Sequence, residues 1–332
     1  MTFKNMLVTG GSGFIGSNFI RYILSGQRHG RGIKKLINLD KLTYSGNPDN
    51  LKDIEGDPRY RFVKGDICDK RVVSKLAGGC DVIINFAAES HVDRSIKDPA
   101  EFVRTNVVGT QVLLDAVRRY GVKRYIQIGT DEVYGSVQRG YSQEESQLRP
   151  NSPYAASKAA ADLLVRSYHV TFRLPVIITR SSNNFGPYQY PEKVIPLFIT
   201  NAIDNKKVPL YADGSNVRDW IYVVDNCDAI AFIMKNGEAG NIYNIGGGNE
   251  IKNIDLTRMI LRNLGKTERL IKYVKDRPGH DKRYALDSYK LHKLGWKPVP
   301  GNFEGKLRST IEWYVNNKKW WVRLKARKEK FW

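Results

Sequence analysis

The sequence lacks several features that would point away from a soluble enzyme. None of its apolar runs approaches the ~20 residues that cross a bilayer. Its beginning, Met1 to Asn5, lacks the apolar core and the cleavage site of a signal peptide. Cysteine is scarce, and Cys68, Cys80 and Cys227 are odd in number and have no metal-like spacing. We therefore expect a soluble cytoplasmic protein with no disulfide framework, no membrane contact and no metal site.

Acidic residues are also few, because 34 Asp and Glu stand against 54 Lys and Arg and leave a formal net charge of +20. Such a charge suits a nucleic acid, an anionic membrane or an acidic small molecule as a partner. Residues 318–332 hold seven Lys or Arg and one acid, Glu329. We interpret this segment as a solvated basic tail. A substrate that carries a diphosphate would also benefit from a positive field.

The first half of the sequence alternates short β-branched runs with longer segments of helical periodicity. Strands are predicted at residues 6–9, 36–39, 60–63, 82–86, 125–128 and 176–178, and helices at 14–24, 102–120 and 154–168. Strands that alternate with helices form βαβ units and a parallel sheet with helices on both faces. We predict an α/β protein with a Rossmann-type doubly wound parallel sheet over residues 1–181. A smaller, partly interleaved α/β substrate domain is predicted over residues 182–332.

A glycine-rich segment, Gly10-Gly11-Ser12-Gly13-Phe14-Ile15-Gly16, follows the first predicted strand and opens the first helix. Gly10 permits a tight turn, Gly13 lets the backbone approach a pyrophosphate, and Gly16 lets the helix pack close to the sheet. The free N–H groups and the dipole of the helix N-terminus would hold the pyrophosphate. The strand before and the helix after this segment indicate a dinucleotide site.

Asp40 ends the second predicted strand, where an acidic side chain accepts hydrogen bonds from the adenosine ribose and repels a 2′-phosphate. This position favours NAD over NADP. The spacing from Gly16 is longer than the usual ~20 residues, and residues 26–32 look like a loop insertion that accounts for it. Asp66 and Ile67 follow the third strand, where the adenine ring would lie.

Tyr154 and Lys158 are four residues apart on a predicted helix, which places the phenol and the ammonium on one face. A nearby cation stabilises a phenolate, so we expect Lys158 to lower the pKa of Tyr154 and make it a base near neutral pH. The fifth strand ends in Thr130-Asp131-Glu132. Ligands of open α/β sheets bind at the carboxyl ends of strands. These five side chains together can form an acid–base set.

With these motifs the sequence resembles the extended short-chain dehydrogenase/reductases and, within them, the dTDP-glucose 4,6-dehydratases. The resemblance covers nearly the whole chain and is carried by residues 40–47, 87–95, 130–135, 182–188, 218–223 and 276–281. The pair Asp131 and Glu132 is its most specific part, because related epimerases and decarboxylases typically differ at those two positions. Phe185 departs from the family, which often has Tyr there.

The resemblance implies that a nucleoside-diphosphate glucose is converted to its 4-keto-6-deoxy form. Tyr154 would take the proton of the sugar 4-hydroxyl while C4 passes hydride to NAD. Lys158 would support Tyr154, and Thr130 would hydrogen-bond near the sugar O4. Glu132 would remove the C5 proton, Asp131 would protonate the departing C6 hydroxyl, and the hydride would return to C6. NAD would be regenerated in each cycle and remain tightly bound.

The resemblance also assigns two sets of binding residues. The cofactor set comprises Gly10, Gly13, Phe14, Ile15, Gly16, Asp40, Lys41, Leu42, Thr43, Asp66, Ile67, Phe86, Ala87, Ala88, Glu89, Ser90, Thr105, Tyr154, Lys158 and Asn184. The substrate set comprises Ser90, Thr130, Asn183, Lys193, Val194, Pro209, Leu210, Tyr211, Arg218, Asn253, Asp276, Arg277, Pro278, Gly279 and His280. Arg218 and Arg277 would serve as forked donors for the diphosphate. In this family the helices equivalent to 102–120 and 154–168 pair across a two-fold axis, which implies a homodimer.

Three alternatives stay open at this point. A UDP-glucose 4,6-dehydratase would have a similar pyrimidine pocket, so the sequence does not identify the nucleotide base. A nucleotide-sugar 4-epimerase would share Tyr154 and Lys158 but would not need Asp131 and Glu132. A nucleic-acid-binding protein that senses NAD would fit the charge of +20 but would not need the catalytic set, so we do not expect nucleic acid as a partner.

Overall fold

The computed structural model describes residues 2–298 and 302–328. Its strands are β1 (Asn5–Thr9), β2 (Lys35–Asp40), β3 (Tyr60–Lys64), β4 (Val82–Asn85), β5 (Arg124–Thr130), β6 (Val176–Ser181), β7 (Asn183–Phe185), β8 (Val208–Tyr211), β9 (Val217–Tyr222), β10 (Ile242–Ile245), β11 (Glu250–Lys252) and β12 (Ile271–Val274). Its α-helices are α1 (Phe14–Leu24), α2 (Lys70–Ala77), α3 (Val92–Lys97), α4 (Ala100–Phe102), α5 (Gly109–Tyr120), α6 (Pro153–Phe172), α7 (Val194–Ile203), α8 (Val223–Asn236), α9 (Asn253–Asn263), α10 (Tyr289–Leu294), α11 (Phe303–Asn316) and α12 (Lys318–Lys328). Short 3₁₀ segments cover Pro48–Ile54, Asp131–Tyr134 and Glu268–Leu270, and a π-helical segment covers Val103–Val108.

Seven parallel strands form the main sheet in the order β10-β6-β5-β4-β1-β2-β3. The chain starts at β1, builds outward to β3 and then returns to the other side of β1 with β4. The strand order therefore reverses between β1 and β4, and open α/β sheets bind ligands at such a point. The predicted Rossmann-type doubly wound sheet is confirmed.

Apolar side chains pack on both faces of this sheet, which explains the nearly continuous apolar runs in its strands. Along β1, Val8 joins a cluster with Phe19 of α1 and Ile230 of α8. The preceding residue, Leu7, points to the opposite face of the sheet and joins a cluster with Leu113 of α5. Helices on both faces thus leave the carboxyl ends of the strands as the accessible edge of the sheet.

The second half of the chain contributes one strand to the main sheet and forms two small sheets of its own. Strand β10 pairs with β6 in the main sheet, although about sixty residues separate them in the sequence. The remaining strands form two small sheets, β11-β9-β7 and β12-β8. Helices α7, α9, α11 and α12 pack against these sheets through a third apolar cluster. Strand β7 begins two residues after the end of β6, so the sheet β11-β9-β7 starts at the carboxyl end of a main-sheet strand.

Two helices differ from their predicted bounds. The helix predicted over residues 102–120 is interrupted, because Val103–Val108 forms a π-helix between α4 and α5. The helix predicted over residues 154–168 runs on as α6 to Phe172, where Arg173 adopts a left-handed conformation with φ of 56° and ends it. The prediction for α1 matches its observed bounds.

The predicted basic tail is helical over residues 318–328, which form α12, whereas the side chains of Lys318 and Arg323 are solvated as predicted. Trp321 and Leu324 lie three residues apart on one face and are 1% and 2% exposed. Lys325 donates hydrogen bonds to Thr200 and Asn201 of α7. Burial of the tryptophan and the leucine therefore orders this segment despite its charge. Residues 329–332 lie outside the described residues.

Candidate active site

The glycine turn between β1 and α1 has the conformation that the sequence pattern requires. Gly10 has a φ of 69°, and a Cβ atom at this position would lie 2.5 Å from the Ala87 nitrogen. A Cβ atom on Gly16 would collide with the carbonyl oxygen of Gly10. Gly13 is the N-cap residue of α1, and no side chain caps the helix. The N-terminus of α1 is therefore open to an anion.

Asp40 lies at the end of β2 and accepts hydrogen bonds from two backbone amides, one in the glycine turn and one just after β2. Its carboxylate accepts hydrogen bonds from the N–H of Ser12 at 2.9 Å and from the N–H of Leu42 at 2.8 Å. Burial raises the pKa of Asp40, whereas these two hydrogen bonds lower it. Leu42 has a φ of 58° and contributes its amide to Asp40.

A cavity extends along the carboxyl ends of the main-sheet strands. Every residue of the predicted cofactor set except Leu42 lines it. The five predicted catalytic residues line it as well, together with Ser90, Asn183 and Lys193 of the substrate set. The structure therefore brings the glycine turn and the catalytic set into one cavity.

The acidic pair sits on the 3₁₀ turn that follows β5. Thr130 donates from Oγ1 to the carboxylate of Asp131 at 3.2 Å and accepts the N–H of Glu132 at 3.3 Å. Oδ2 of Asp131 is buried and has no hydrogen-bond partner among the described residues. Burial raises the pKa of Asp131 well above its ordinary value, and the charges of Glu132 and Asp219 raise it further. This environment favours the protonated form of Asp131.

Glu132 is partly buried and lies in a field of positive charge. Burial raises the pKa of Glu132, whereas Lys193, Arg277 and Arg218 lower it. The three cations oppose the effect of burial on Glu132. Among the largest influences on the pKa of Asp131, Arg218 is the one cation, so the positive charges favour the carboxylate of Glu132 more than that of Asp131. Two adjacent carboxyl groups thus have different environments, as an acid and a base acting on one substrate require.

Tyr154 and Lys158 occupy successive turns of α6 and are both buried. Lys158 donates from Nζ to the carbonyl oxygen of Ile128 at 2.5 Å, and burial lowers the pKa of Lys158 to about 8. The pKa of Tyr154 is raised by burial and by the charge of Glu132, while a hydrogen bond with Thr130 lowers it. Burial is the largest influence on the pKa of Tyr154, and the Lys158 ammonium is held by the Ile128 carbonyl oxygen. That Lys158 lowers the pKa of Tyr154 stays a prediction.

The π-helical segment connects the cofactor side of the cavity to α6. Asn106 accepts the N–H of Glu89 at 2.9 Å and donates to the carbonyl oxygen of Glu89 at 3.1 Å. It also donates to Oγ of Ser157 at 2.8 Å, and Ser157 lies next to Lys158. Thr105 on the same segment lines the cavity. The segment thus positions the end of β4 against the catalytic helix.

Three cations act on Glu132, and we call them the basic wall: Lys193, Arg218 and Arg277. They come from segments that lie far apart in the sequence. Arg218 donates to the carbonyl oxygen of Asp281 at 2.8 Å, and its guanidinium lies 4.4 Å from the ring centre of Tyr284. Tyr284 in turn donates from its hydroxyl to Asp281 at 2.7 Å. Arg277 forms an ion pair with Asp93 at 3.6 Å. Both arginines therefore stand near Glu132 although neither lines the cavity itself.

Comparisons with known proteins agree over almost the full chain. A family model described as GDP-mannose 4,6 dehydratase matches residues 7–307. The dTDP-glucose 4,6-dehydratase of Streptomyces niveus is 51% identical over 322 residues, which are 97% of this chain and 96% of that protein. The chain belongs to the dTDP-glucose 4,6-dehydratase family.

Two further comparisons cover the same extent. A low-salt glycan biosynthesis protein of Haloferax volcanii is 50% identical over 313 residues, which are 94% of this chain and 99% of that protein. The crystal structure of the dTDP-glucose 4,6-dehydratase DesIV of Streptomyces venezuelae, with NAD and dTDP bound, has a TM-score of 0.95 and 50% identity. It covers 96% of this chain and 99% of that one. The resemblance found in the sequence is confirmed.

The remaining residues of the predicted substrate set do not line the cavity. His280 accepts or donates a hydrogen bond with Asp276 at 2.6 Å, and its ring packs edge-on against Tyr211. Leu210 is 2% exposed in the apolar core, so its side chain does not face the cavity. Asn253 begins α9 and donates its N–H to the carbonyl oxygen of Asn216. Val194 follows Lys193 at the start of α7, Pro209 lies in β8, and Pro278 and Gly279 follow Arg277 in the chain.

Sequence reasoning assigned no role to two segments that close the cavity. Residues Tyr44, Ser45 and Gly46 line it from one side, and Gln189, Tyr190 and Glu192 line it from the other. The Tyr44 ring lies 3.6 Å from the Arg94 guanidinium and packs edge-on against Tyr190. Residues 44–46 lie in the segment 40–47 that carries the resemblance, but no local pattern indicated that they would meet residues 189–192.

Other kinds of site find no support in the part of the chain that the structure describes. Within residues 2–298 and 302–328, no group of three or more His, Cys, Asp or Glu side chains is arranged to hold a metal ion. No helix in these ranges is both long enough and apolar enough to cross a bilayer. The three cysteines are free thiols.

Proposed function

We propose that this chain is an NAD-dependent dTDP-glucose 4,6-dehydratase, which converts dTDP-glucose to dTDP-4-keto-6-deoxyglucose and water. The observation that carries the proposal is the placement of Asp131 and Glu132 in one cavity with Tyr154, Lys158 and the glycine turn. An epimerase on this fold has use for the last three and none for two adjacent acids. The relatives at about 50% identity support the same reaction.

The residues of the cavity fit NAD. The open N-terminus of α1 suits a pyrophosphate, and Asp40 suits a ribose without a 2′-phosphate. Oδ1 of Asn184 is a buried acceptor without a partner among the described residues, as expected where a ligand supplies the donor. When bound, NAD would supply a reversible hydride acceptor and a positive charge.

Tyr154 remains a phenol in the chain as described, because burial and Glu132 raise its pKa. Tyr154 can therefore act as a base only when positive charge in the cavity lowers its pKa. Lys158, with a pKa lowered to about 8, is an ammonium at neutral pH and can contribute such charge from the same helix face. We propose that Tyr154 accepts the proton of the sugar 4-hydroxyl under these conditions.

Glu132 and Asp131 then divide the elimination. Glu132 takes the C5 proton, the electron pair of that bond forms the C5–C6 double bond, and the C6–O bond breaks. The departing hydroxyl takes the proton of Asp131 and leaves as water. The unpartnered Oδ2 of Asp131 marks where that hydroxyl would be received. The basic wall of Arg218, Arg277 and Lys193 favours the ionised form of Glu132, which this step requires.

One experiment tests the proposal and its nearest alternatives. The protein is incubated with dTDP-glucose and with UDP-glucose separately, and each product is identified by mass. A product lighter by one water from dTDP-glucose supports the proposal. The same loss mainly from UDP-glucose would identify the other nucleotide. A product of unchanged mass with an inverted C4 would indicate an epimerase.

We also propose that the protein is a homodimer in the cytoplasm. Val103 and Val108 of the π-helical segment and Leu163, Val170 and Phe172 of α6 are large apolar residues that are exposed. A contiguous apolar face on two neighbouring helices favours an isologous interface across a two-fold axis. Light scattering should give twice the monomer mass, and Leu163→Glu should give the monomer mass. A wild-type protein of monomer mass at micromolar concentration would contradict the assembly.

A further inference from the structure

The C-terminal helix is connected to the glycine turn by two hydrogen bonds. Trp320 of α12 donates from Nε1 to Oδ1 of Asn50 at 3.0 Å, across a sequence separation of 270 residues. Asn50 is 1% exposed and donates from Nδ2 to the carbonyl oxygen of Ser12 at 3.0 Å. Ser12 lies inside the glycine turn. The indole of Trp320 therefore fixes the orientation of the Asn50 amide that holds this turn.

Ser12 is held from several directions, which makes the orientation of its peptide groups dependent on these partners. The N–H of Asn47 donates to the same carbonyl oxygen at 3.0 Å. The N–H of Ser12 donates to Asp40 at 2.9 Å. The residue is buried, so water does not readily replace a lost partner. The peptide planes of the turn also set the direction of the N–H groups that would receive a pyrophosphate.

Tyr188 connects helices α11 and α12 to the edge of the cavity. Tyr188 has a φ of 67°, a backbone conformation that non-glycine residues adopt only when their surroundings impose it. Its ring packs against Trp313 of α11 and Trp320 of α12, with centroids 4.7 and 6.0 Å apart. The Arg21 guanidinium lies 4.2 Å from the same ring. The next residue, Gln189, lines the cavity.

Helix α11 also contacts Gln189 directly. Tyr314 donates from its hydroxyl to the carbonyl oxygen of Gln189 at 2.5 Å. Gln189 donates from its side chain to the carbonyl oxygen of Asn184, which belongs to the predicted cofactor set. Arg21, on α1, hydrogen-bonds to the carbonyl oxygen of Asn50. The two ends of the cofactor cavity are thus tied to one helix pair.

We propose that helices α11 and α12 act as a clamp that retains NAD, with Trp320 as the positioning residue that holds the glycine turn through Asn50. The inference rests on the proposed function, because it takes the cavity to be an NAD site. Trp320 does not line the cavity, and its contacts lie at the glycine turn rather than beside Tyr154 or Glu132. The clamp therefore governs the dissociation of the cofactor and leaves the chemical steps largely unchanged.

Trp320→Phe tests the clamp, because it keeps a ring against Tyr188 and Trp313 and removes the indole N–H. We expect NAD to dissociate about 3- to 10-fold faster, the range for loss of one hydrogen bond. Dissociation is followed by the exchange of bound NAD for isotopically labelled NAD. At saturating NAD, kcat should change by less than about twofold, because the lost bond does not touch the reacting atoms.

Trp321→Phe is the matched control, since it lies on the same helix, is 1% exposed and also loses one indole hydrogen bond. That bond runs to the backbone carbonyl oxygen of Tyr314 at 2.8 Å. It does not lead to the glycine turn, and it does not use the Tyr314 hydroxyl that holds Gln189, so the variant leaves both connections to the cavity in place. Its NAD dissociation rate should stay near that of the wild type. Equal acceleration in the two variants would overturn the clamp, because it would show only a loosened helix.

Asn50→Ala supplies a second measurement of the same connection. It should accelerate NAD dissociation at least as much as Trp320→Phe, and the double variant should be no faster than Asn50→Ala alone. Additive effects would overturn the connection, and if Asn50→Ala does not fold, the two tryptophan variants still decide. A wild-type protein that binds no NAD would overturn the proposed function and the clamp together. A wild type that retains NAD, with no difference between the tryptophan variants, would overturn the clamp alone.

Discussion

Asp131 offers a prediction in which stability and activity change in opposite directions. Its side chain is 3% exposed, and Oδ2 has no hydrogen-bond partner among the described residues. Burial and the charges of Glu132 and Asp219 raise the pKa of Asp131 well above its ordinary value. An amide of the same shape carries no charge at any pH. We expect Asp131→Asn to raise the free energy of unfolding near pH 8, by about 1.4 kcal/mol for each unit by which the folded-state pKa exceeds that of the unfolded chain.

The pH dependence of this effect follows from proton linkage. The pKa of Asp131 is higher in the folded protein than in the unfolded chain, so the folded protein binds more protons between the two values. The stability associated with this group is full at low pH and declines as the pH rises through the folded-state pKa. The Asp131→Asn variant lacks that decline. Its advantage over the wild type should therefore grow from about pH 4, near the ordinary aspartate pKa, toward about pH 8.

Asp219→Asn is the matched control for this measurement. Asp219 is equally buried, but its carboxylate accepts the N–H groups of Gly247 at 2.9 Å and Asn249 at 2.7 Å. An amide cannot accept on both sides, so Asp219→Asn should lower the free energy of unfolding. Urea denaturation of both variants at several pH values provides the comparison. The reasoning is refuted if Asp131→Asn destabilises the protein as Asp219→Asn does, or if its effect does not depend on pH.

Two further predictions concern the catalytic helix and the glycine turn. Tyr154→Phe should slow C4 oxidation by about 10²- to 10⁴-fold, because no positioned base remains. NADH absorbance in a single turnover measures this rate, and a wild-type rate would remove Tyr154 from the proposed role. Gly16→Ala should abolish retention of NAD, since the added carbon collides with the Gly10 carbonyl oxygen. Gly56→Ala, where nothing lies within 4 Å of the added carbon, should retain NAD, and equal loss in both variants would contradict the fit of the turn.

The parts of the fold and site that could be predicted are those encoded by local sequence. The apolar run of β1, the glycines at the turn and the periodicity of α1 lie within twenty residues, so their geometry follows from backbone chemistry. Asp40 and the segment Thr130 to Glu132 end buried strands, and parallel strands bring such ends to one edge. This is why the cofactor cavity and the acidic pair could be placed from the sequence.

The parts that could not be predicted depend on contacts between distant segments. Nothing local in Val103–Val108 signals a π-helix, whose Asn106 is held by Glu89 and Ser157. Helix α12 reads as a charged tail because the cluster that buries Trp321 comes from other parts of the chain. The pKa of Tyr154 depends on how deeply it is buried and on the charge of Glu132, which belongs to another segment of the chain.

The most direct test of the central claim is a single turnover of the double variant Asp131→Asn, Glu132→Gln with dTDP-glucose. Tyr154, Lys158 and the glycine turn are unchanged in this variant, so oxidation at C4 should proceed. Elimination should not, because neither the acid nor the base remains. The account predicts that NADH accumulates on the enzyme, that the C5 hydrogen does not exchange in deuterated water, and that no dehydrated product forms. Release of the 4-keto-6-deoxy product at a rate near that of the wild type would contradict it.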